Sequence, residues 1–320
     1  MLEKKKILVI GCNGQIGTVL TSSLCSKYGF NNVIGSDLHE PTYTTNFIFE
    51  KCSVLDKEKL SMLIDKHAIT EVYLLAAYLS AKGENNIDKA WSLNIDGLLN
   101  ILNLAKEKNI KKIFWPSSIA VFGPTTPKEN VDQYAITEPI TIYGISKLAG
   151  ENLCNYYNKK FGVDVRSLRY PGLVGWQSLP GGGTTDYAVE IFHEAIKKKK
   201  YTCFLSEGRV LPMMYMDDAI SATIAIMEAP IENIKIRTSY NVSSFYFSPK
   251  ELALEIKKHF PDFTINYFPD ERDSLAKGWP NSIDDTLARN DWGWKPNYNL
   301  SQMVNDIILN LKTRYKEELI

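Results

Sequence analysis

The feature of this sequence that most restricts its fold is the alternation of short apolar runs with longer amphipathic stretches. The apolar runs have the length and composition of strands. They cover residues 7–10, 32–36, 71–76, 112–115 and 163–168. The amphipathic stretches have helical spacing and cover residues 15–28, 57–67, 87–108 and 143–161. Because parallel strands need crossovers, and right-handed crossovers place helices on both faces, this order predicts a doubly wound parallel α/β sheet.

Composition argues against several classes of protein. Lysine plus arginine and aspartate plus glutamate both number 37, so the chain offers no net field for nucleic acid or an anionic membrane. The five cysteines form no close pairs and the four histidines show no ligand spacing, which argues against a metal site. The charged start leads into a short apolar run, unlike a signal peptide or membrane span. We therefore expect a cytoplasmic protein.

The segment after the first apolar run is rich in glycine and leads directly into a helix. Gly11, Gly14 and Gly17 would let the chain turn tightly and let backbone amides approach a pyrophosphate. Gln15 and Ile16 begin the helix, whose N-terminus attracts negative charge. The first gap is one residue longer than in the G-x-G-x-x-G fingerprint. A glycine loop alone is a weak signal, since many turns contain glycine.

An acidic residue strengthens the prediction of a dinucleotide site. Asp37 lies 20 residues beyond Gly17, at the end of the second apolar run, where a carboxylate accepts hydrogen bonds from an adenosine ribose. A carboxylate there would repel the 2′-phosphate of NADP, and no arginine stands beside it in the sequence. The residues therefore predict a Rossmann-like site for NAD. The alternative is that Asp37 is a turn or cap residue.

A tyrosine and a lysine four residues apart point to catalysis. Tyr143 and Lys147 share one face of a predicted helix. The lysine and a nicotinamide cation would lower the pKa of the phenol, so that Tyr143 acts as general base. Ser118 follows the run 112–115, at the sheet edge where ligands bind in open α/β folds. Each feature occurs alone by chance, but their order together predicts a dehydrogenase site.

These motifs resemble the extended branch of the short-chain dehydrogenase/reductase family, over nearly the whole chain and including the glycine spacing. The resemblance implies that Ser118 hydrogen-bonds the substrate oxygen, Tyr143 exchanges the proton, and Lys147 tunes Tyr143 and holds the nicotinamide ribose. It also implies further cofactor contacts. These are Ser53, Val54, Leu75, Ala76, Ala77, Asn94, Tyr170 and Pro171. Ser53 departs from the family, which usually has an aspartate beside the adenine, and a serine accepts that hydrogen bond more weakly.

Longer stretches resemble one type within that branch, the short-chain L-threonine 3-dehydrogenases. They are residues 79–84, 180–187, 211–218 and 279–294. The resemblance implies metal-free oxidation of the 3-hydroxyl of L-threonine with NAD to 2-amino-3-oxobutanoate. The candidate substrate contacts are Ser80, Ser118, Tyr143, Thr184, Thr185 and Trp279. The alternatives are that Ser80 is a turn residue, Thr185 a helix N-cap, and Trp279 a packing residue.

The alternation loosens after the fifth apolar run, which suggests a second, smaller part of the chain. We expect an NAD-binding domain over residues 1–172, rejoined by a helix and strand near 217–242. The smaller C-terminal substrate lobe would cover 173–216 and 243–320. The family resemblance further implies a homodimer in which the helices 87–108 and 143–161 of both copies form a four-helix bundle.

Two other functions fit parts of the same pattern. The first is a nucleotide-sugar epimerase or dehydratase, which shares fold, cofactor and catalytic residues within this branch but needs a surface for a nucleotide diphosphate. The C-terminal part has few arginines for that purpose. The second is a redox-sensing regulator that binds the dinucleotide without chemistry. Such proteins tend to lose the tyrosine or lysine, and this chain retains both.

Overall fold

Strands and helices alternate through the first half of the chain in the computed structural model, which describes residues 5–42, 44–78 and 83–317. The strands are β1 (Ile7–Ile10), β2 (Val33–Asp37), β3 (Ile48–Lys51), β4 (Glu71–Leu74), β5 (Lys112–Phe114), β6 (Ser117–Ser118), β7 (Val165–Arg166), β8 (Leu168–Tyr170), β9 (Gly172–Val174), β10 (Lys200–Cys203), β11 (Leu211–Tyr215), β12 (Tyr240–Asn241), β13 (Phe245–Phe247) and β14 (Thr264–Tyr267). The helices are α1 (Gln15–Tyr28), α2 (Lys57–Lys66), α3 (Ile87–Trp91), α4 (Gly97–Glu107), α5 (Ile142–Phe161), α6 (Tyr187–Lys198), α7 (Met216–Glu228), α8 (Pro249–Lys257), α9 (Glu271–Lys277), α10 (Thr286–Trp292) and α11 (Leu300–Glu317).

The main sheet is parallel and covered on both faces. Within the described residues it has six strands in the order β3-β2-β1-β4-β5-β7, and each neighbouring pair is parallel. Ile7 and Val9 of β1 join a core with α1 and α7 on one face. Leu8 and Ile10 join a core with α2, α4 and α5 on the other. The predicted doubly wound, Rossmann-like α/β fold is therefore confirmed.

Two features of the sheet differ from the sequence prediction. Strand β3 is absent from the predicted set because it is a short edge strand whose residues are partly or fully exposed, so its apolar pattern is weak. The predicted run 163–168 divides into β7 and β8, which pair with β5 and β6 respectively. Pro116 lies between β5 and β6 and lacks the N–H group that would continue the ladder.

Two predicted helices carry the residues nearest the site. The predicted helix 87–108 contains a π-helical turn at Ser92–Asp96, between α3 and α4, and Asn94 in this turn is buried. Helix α5 begins one residue before the predicted start. The Thr141 side chain caps it by accepting a hydrogen bond from the backbone N of Gly144 at 3.0 Å. This cap fixes the first turn of α5, which contains Tyr143.

The chain after β8 builds smaller sheets beside the main one. Strands β13, β11 and β9 form one sheet, and β10 and β14 form another. Their apolar residues share a core with α6, α8 and α11. Helix α7 returns to pack against α1, and β12 pairs with β8. The predicted lobe boundaries remain a prediction. Among the described residues, no helix has the length and hydropathy needed to cross a membrane.

Candidate active site

The glycine-rich loop is so tight that Gly11 and Gly17 leave no room for side chains. Gly11 has a φ of +86°, and a Cβ there would lie 2.7 Å from the backbone N of Ala76. A Cβ on Gly17 would lie 2.0 Å from the carbonyl oxygen of Gly11. Gly14 is the N-cap of α1 and supplies no side-chain cap, which leaves the first N–H groups of α1 available. This cradle fits the pyrophosphate of a dinucleotide.

A cavity of about 220 Å³ lies beside this loop. The predicted cofactor residues that line it are Gly11, Gly14, Asp37, Ser53, Val54, Leu75, Ala76 and Ala77. Asp37 accepts hydrogen bonds from the backbone N of Asn13 at 3.0 Å and of Leu38 at 2.7 Å, which fix its carboxylate. The Ser53 hydroxyl accepts one from the backbone N of Leu55 at 3.2 Å, so part of its accepting capacity is already used.

A second cavity, of about 160 Å³, lies over the predicted catalytic residues. Leu75 and Ala77 line both cavities, so the two adjoin. The other predicted residues that line the second one are Gln15, Ile16, Ser118, Tyr143, Lys147, Tyr170, Pro171, Thr184, Thr185 and Trp279. Segments far apart in the sequence therefore form the walls of one site, with contributions from the main sheet and from the C-terminal part.

Three predicted residues stand apart from these walls. Gly17 packs behind the loop against Gly11 and lines neither cavity. Asn94 also lines neither; its Oδ1 accepts a hydrogen bond from the backbone N of Tyr78 at 2.7 Å, and its Nδ2 donates to the Ser146 hydroxyl at 3.0 Å. Asn94 thus ties the segment after β4 to helix α5. Ser80 lies outside the described residues.

The catalytic side chains meet where β6 approaches the first turns of α5. The Lys147 ammonium donates a hydrogen bond to the carbonyl oxygen of Pro116 at 2.6 Å and lies 5.6 Å from the centre of the Tyr143 ring. The Ser118 hydroxyl accepts one from the backbone N of Ala120 at 3.2 Å. Both Ser118 and Tyr143 line the cavity, so a substrate oxygen there would have a hydroxyl and a phenol as neighbours.

Burial dominates the ionisation of both side chains. It raises the pKa of Tyr143 to about 12, although a hydrogen bond with Ser118 opposes the rise. It lowers the pKa of Lys147 to about 7, against the opposing charges of Cys154 and Glu151. In the protein alone the pKa of Tyr143 thus stays above its usual value, and the lowering expected beside a bound nicotinamide stays a prediction. Desolvation outweighs the lysine, whose ammonium is directed at a backbone carbonyl.

The C-terminal wall of the cavity is made by a glycine-rich turn and one tryptophan. Thr184 is buried, and its hydroxyl has no hydrogen-bond partner among the described residues. Thr185 is not the N-cap of α6, because that position belongs to Asp186. The Asp186 carboxylate accepts hydrogen bonds from the backbone N of Gly182 at 2.7 Å and of Gly183 at 2.8 Å, which fixes the turn.

Some residues that line the second cavity are not among those predicted from the sequence. The cavity is also lined by Pro116, Ser117, Ile119, Gly172, Leu173, Gly183 and Asp186. Each of these is within two residues of a predicted one, which is the signal that could have found them. Behind the wall, Glu151 accepts hydrogen bonds from the Ser117 hydroxyl at 2.6 Å and from Arg169 at 2.8 Å on both carboxylate oxygens. Nothing in the spacing of Glu151 and Arg169 predicts this buried pair.

Comparison with known proteins places the whole chain among similar enzymes. Residues 7–243 match the family described as the NAD dependent epimerase/dehydratase family. An uncharacterized epimerase/dehydratase of Staphylococcus aureus is 44% identical over 93% of this chain and 94% of its own length. A GalE-like L-threonine dehydrogenase of Cupriavidus necator is 51% identical, with a TM-score of 0.94 over 96% of this chain and 99% of that chain. A monomeric L-threonine 3-dehydrogenase from a metagenome is 48% identical, with a TM-score of 0.93 over the same shares.

Proposed function

This chain belongs to the NAD-dependent epimerase/dehydratase family, with NAD as cofactor, and we propose that it oxidises the 3-hydroxyl of L-threonine to give 2-amino-3-oxobutanoate and NADH. The proposal rests on the lining of the cavity over Tyr143, to which Thr184, Thr185, Asp186 and Trp279 contribute beside the catalytic residues. Neutral hydroxyls and, among the described residues, a single carboxylate suit the charged groups of a small amino acid. A small amino alcohol therefore suits this lining better than a nucleotide sugar does. The two dehydrogenase relatives support the same choice.

The side chains supply the proton chemistry of this reaction. Bound NAD would supply the acceptor for the hydride that leaves C3 of the substrate. Ser118 hydrogen-bonds the 3-hydroxyl oxygen, and Tyr143 takes the hydroxyl proton as the C3–O bond becomes a carbonyl. A positive ring close to Tyr143 favours the phenolate and offsets the rise that burial causes in its pKa. Lys147 holds the nicotinamide ribose, and holding both reactants aligned removes much of the entropic barrier.

Neutral hydroxyls and one carboxylate complete the recognition of the amino acid. The unpartnered hydroxyl of Thr184 and the side chain of Thr185 hold the substrate carboxylate, together with Ser80. Asp186 is the carboxylate in the described lining and faces the substrate ammonium. Trp279 forms the remaining wall. Lys147 is the lone cation in the described lining, whereas a nucleotide diphosphate calls for several.

The remaining predicted residues are proposed as the NAD site. Gly11, Gly14, Gln15, Ile16 and Gly17 form the pyrophosphate cradle, with the α1 N-terminus facing the phosphates. The adenosine lies in the first cavity, against Asp37, Ser53, Val54, Leu75, Ala76 and Ala77, and the nicotinamide against Tyr170 and Pro171. Asn94 supports this site through the Tyr78 backbone. The buried free cysteines suit a reducing compartment such as the cytoplasm.

A nucleotide-sugar epimerase or dehydratase is the second candidate, and the family description favours it. Such an enzyme returns the hydride to its substrate, so NADH does not accumulate. We would mix the protein and NAD with L-threonine, L-allo-threonine, D-threonine or UDP-glucose and follow NADH absorbance. L-Threonine alone should give a signal, and Tyr143→Phe should abolish it while NAD still binds. No signal with any amino acid, together with conversion of UDP-glucose, would establish the second candidate instead.

A further inference from the structure

Trp279 owes its place in the cavity wall to a short turn that follows α9. The backbone N of Gly278 donates a hydrogen bond to the carbonyl of Leu275 at 3.0 Å, and that of Trp279 donates to the carbonyl of Ala276 at 3.0 Å. Trp279 itself is 7% exposed and lines the cavity over Tyr143. Because the last carbonyls of a helix have no partner within it, this turn needs donors from elsewhere.

One lysine supplies those donors. The Lys128 ammonium donates hydrogen bonds to three successive carbonyl oxygens, those of Lys277 at 3.0 Å, Gly278 at 2.9 Å and Trp279 at 3.1 Å. An ammonium has three hydrogens, so all of them are used on this turn. Hydrogen bonds from a cation are stronger than neutral ones, and a lysine is a common partner for the end of a helix.

Lys128 and its neighbour Glu129 also accept hydrogen bonds from the next residues of the same turn. The Lys128 carbonyl accepts hydrogen bonds from the backbone N of Asn281 at 2.7 Å and of Ser282 at 3.3 Å. The Glu129 carboxylate accepts from the Asn281 amide at 2.7 Å and from the Ser282 hydroxyl at 3.0 Å. Residues 128 and 129 therefore form hydrogen bonds with the chain both before and after Trp279.

The turn packs against a core and also borders an outer cavity. Trp279 belongs to a hydrophobic core, whereas Gly278 and Lys128 line an outer cavity of about 450 Å³. The hydrogen bonds from Lys128 therefore add to the packing that holds the turn. Lys128 comes from the segment between Ser118 and Tyr143, so the chain that carries the catalytic residues also anchors the opposite wall.

We propose that Lys128 is a positioning residue that fixes Trp279 as a wall of the substrate cavity and so limits the size of alcohol that the site accepts. The inference rests on the proposed function, because it takes this cavity as the place where the alcohol binds. Losing the ammonium leaves three carbonyls with weaker partners, and the turn moves toward the open volume behind it. A displacement of about 1 Å at a positioning element costs up to about a hundredfold in rate.

The kinetic test compares Lys128→Met with Lys277→Met, which removes an exposed lysine lining the same outer cavity. Lys128→Met should raise KM for L-threonine at least tenfold, with a smaller fall in kcat and unchanged NAD affinity. It should also improve kcat/KM for the longer alcohol L-threo-3-hydroxynorvaline relative to L-threonine. Lys277→Met should match the wild type. Lys128→Arg, which keeps a cation and several donors, should recover most of the loss.

A second readout does not depend on turnover. In protein labelled with 5-fluorotryptophan, the fluorine resonance of Trp279 is assigned with Trp279→Phe. Lys128→Met should shift or broaden that resonance, and Lys277→Met should leave it in place. If Lys128→Met does not fold, Lys128→Gln, which keeps two donors without the charge, takes its place with a smaller expected effect.

The two readouts separate failure of this inference from failure of the proposed function. An unchanged Trp279 resonance in the Lys128 variants would overturn the positioning role, whatever the substrate. An unchanged KM and size preference, with L-threonine turned over, would overturn it as well. A shifted resonance in a protein that does not oxidise L-threonine would keep Lys128 as the anchor of Trp279 and reject the proposed substrate.

Discussion

Burial shifts the pKa values of two neighbouring side chains in the catalytic cavity, Tyr143 and Lys147, in opposite directions. Burial raises the pKa of Tyr143 to about 12 and lowers that of Lys147 to about 7, because a dry site disfavours either charge. At neutral pH the protein alone therefore holds a neutral phenol beside a partly deprotonated lysine. In the proposed reaction, the positive charge of a bound nicotinamide would favour the phenolate and so link proton removal to cofactor binding.

The buried lysine should cost stability at neutral pH. The unfolded chain binds a proton at Lys147 up to pH 10.5, whereas the folded protein releases it near pH 7. Stability therefore rises with pH between about 7 and 10.5, and the penalty is greatest below pH 7. Lys147→Met should raise Tm at pH 6–7, with a gain that shrinks toward pH 10. Thermal unfolding across this range tests it, and a gain that is constant with pH would contradict it.

Asp37 should decide the choice between NAD and NADP. Two backbone N–H groups hold its carboxylate at the edge of the adenosine cavity, where it would repel a 2′-phosphate. Asp37→Ser should raise the ratio of kcat/KM for NADP over NAD at least about tenfold, equivalent to about 1.4 kcal/mol. Glu40→Ser, which removes an exposed carboxylate nearby, is the control. An unchanged ratio in the Asp37 variant would place the ribose elsewhere.

At the level of residues, sequence reasoning located the site better than it described its chemistry. The two adjoining cavities are lined by Gly11, Ser118 and Tyr143 because strand ends and helix starts meet at one sheet edge, which the order of elements predicts. The lowered pKa expected for Tyr143 beside a bound nicotinamide stays a prediction, since in the protein alone burial raises that pKa to about 12. Desolvation depends on what covers a residue, and local spacing carries no information about that.

At the level of elements, the buried pair of Glu151 and Arg169 connects the catalytic helix to the strands. Glu151 lies on α5 one turn beyond Lys147, and it receives hydrogen bonds from Ser117 at the end of β6 and from Arg169 on β8. Arg169 also donates to the carbonyl of Gln133 at 3.0 Å. The pair therefore holds three segments that carry site residues at fixed distances from each other.

Removing Glu151 from this pair should lower the unfolding free energy of the protein substantially. Glu151→Ala leaves a buried guanidinium without its counter-charge, and breaking such a pair costs about 3–5 kcal/mol of unfolding free energy. Glu107→Ala, which breaks an exposed pair with Lys57, should have little effect. Urea unfolding of both variants gives the comparison. Equal, small losses of unfolding free energy in both variants would mean that in Glu151→Ala the Arg169 guanidinium is hydrated or pairs with another group.

The elements also show where periodicity fails. Helix α1 and strand β1 match the prediction because their apolar residues are buried, those of α1 at helical spacing and those of β1 on both faces of the sheet. Strand β3 is missed because an edge strand buries little. The division of β7 from β8 accompanies a change of pairing partner from β5 to β6, which Pro116 separates. The π-helical turn that buries Asn94 depends on contacts with Tyr78 and Ser146. These features depend on partners distant in the sequence.

At the level of the whole molecule, we infer a homodimer built from α3, α4 and α5 of each copy. Large apolar side chains are exposed on these helices, including Ile87, Trp91, Ile145 and Tyr156. The metagenome L-threonine 3-dehydrogenase, in contrast, is described as monomeric. Light scattering should give twice the chain mass of 36.3 kDa.

Disruption of this surface should release monomers. Ile145→Asp places a charge in the proposed interface and should halve the mass. Leu254→Asp, an exposed apolar residue on α8, should leave it unchanged. A wild-type protein that is monomeric at micromolar concentration would contradict the inferred dimer. Loss of the dimer in both variants would show that the interface lies elsewhere or that the effect is unspecific.

The central claim is that hydride leaves C3 of L-threonine and is retained by NAD. The most direct measurement incubates the protein with L-[3-²H]threonine and NAD and determines the mass of the reduced cofactor. The reduced cofactor should be one mass unit heavier than that formed from unlabelled L-threonine, and Tyr143→Phe should form none. Absence of reduced cofactor with L-threonine, while UDP-glucose is converted with NAD unchanged overall, would contradict it.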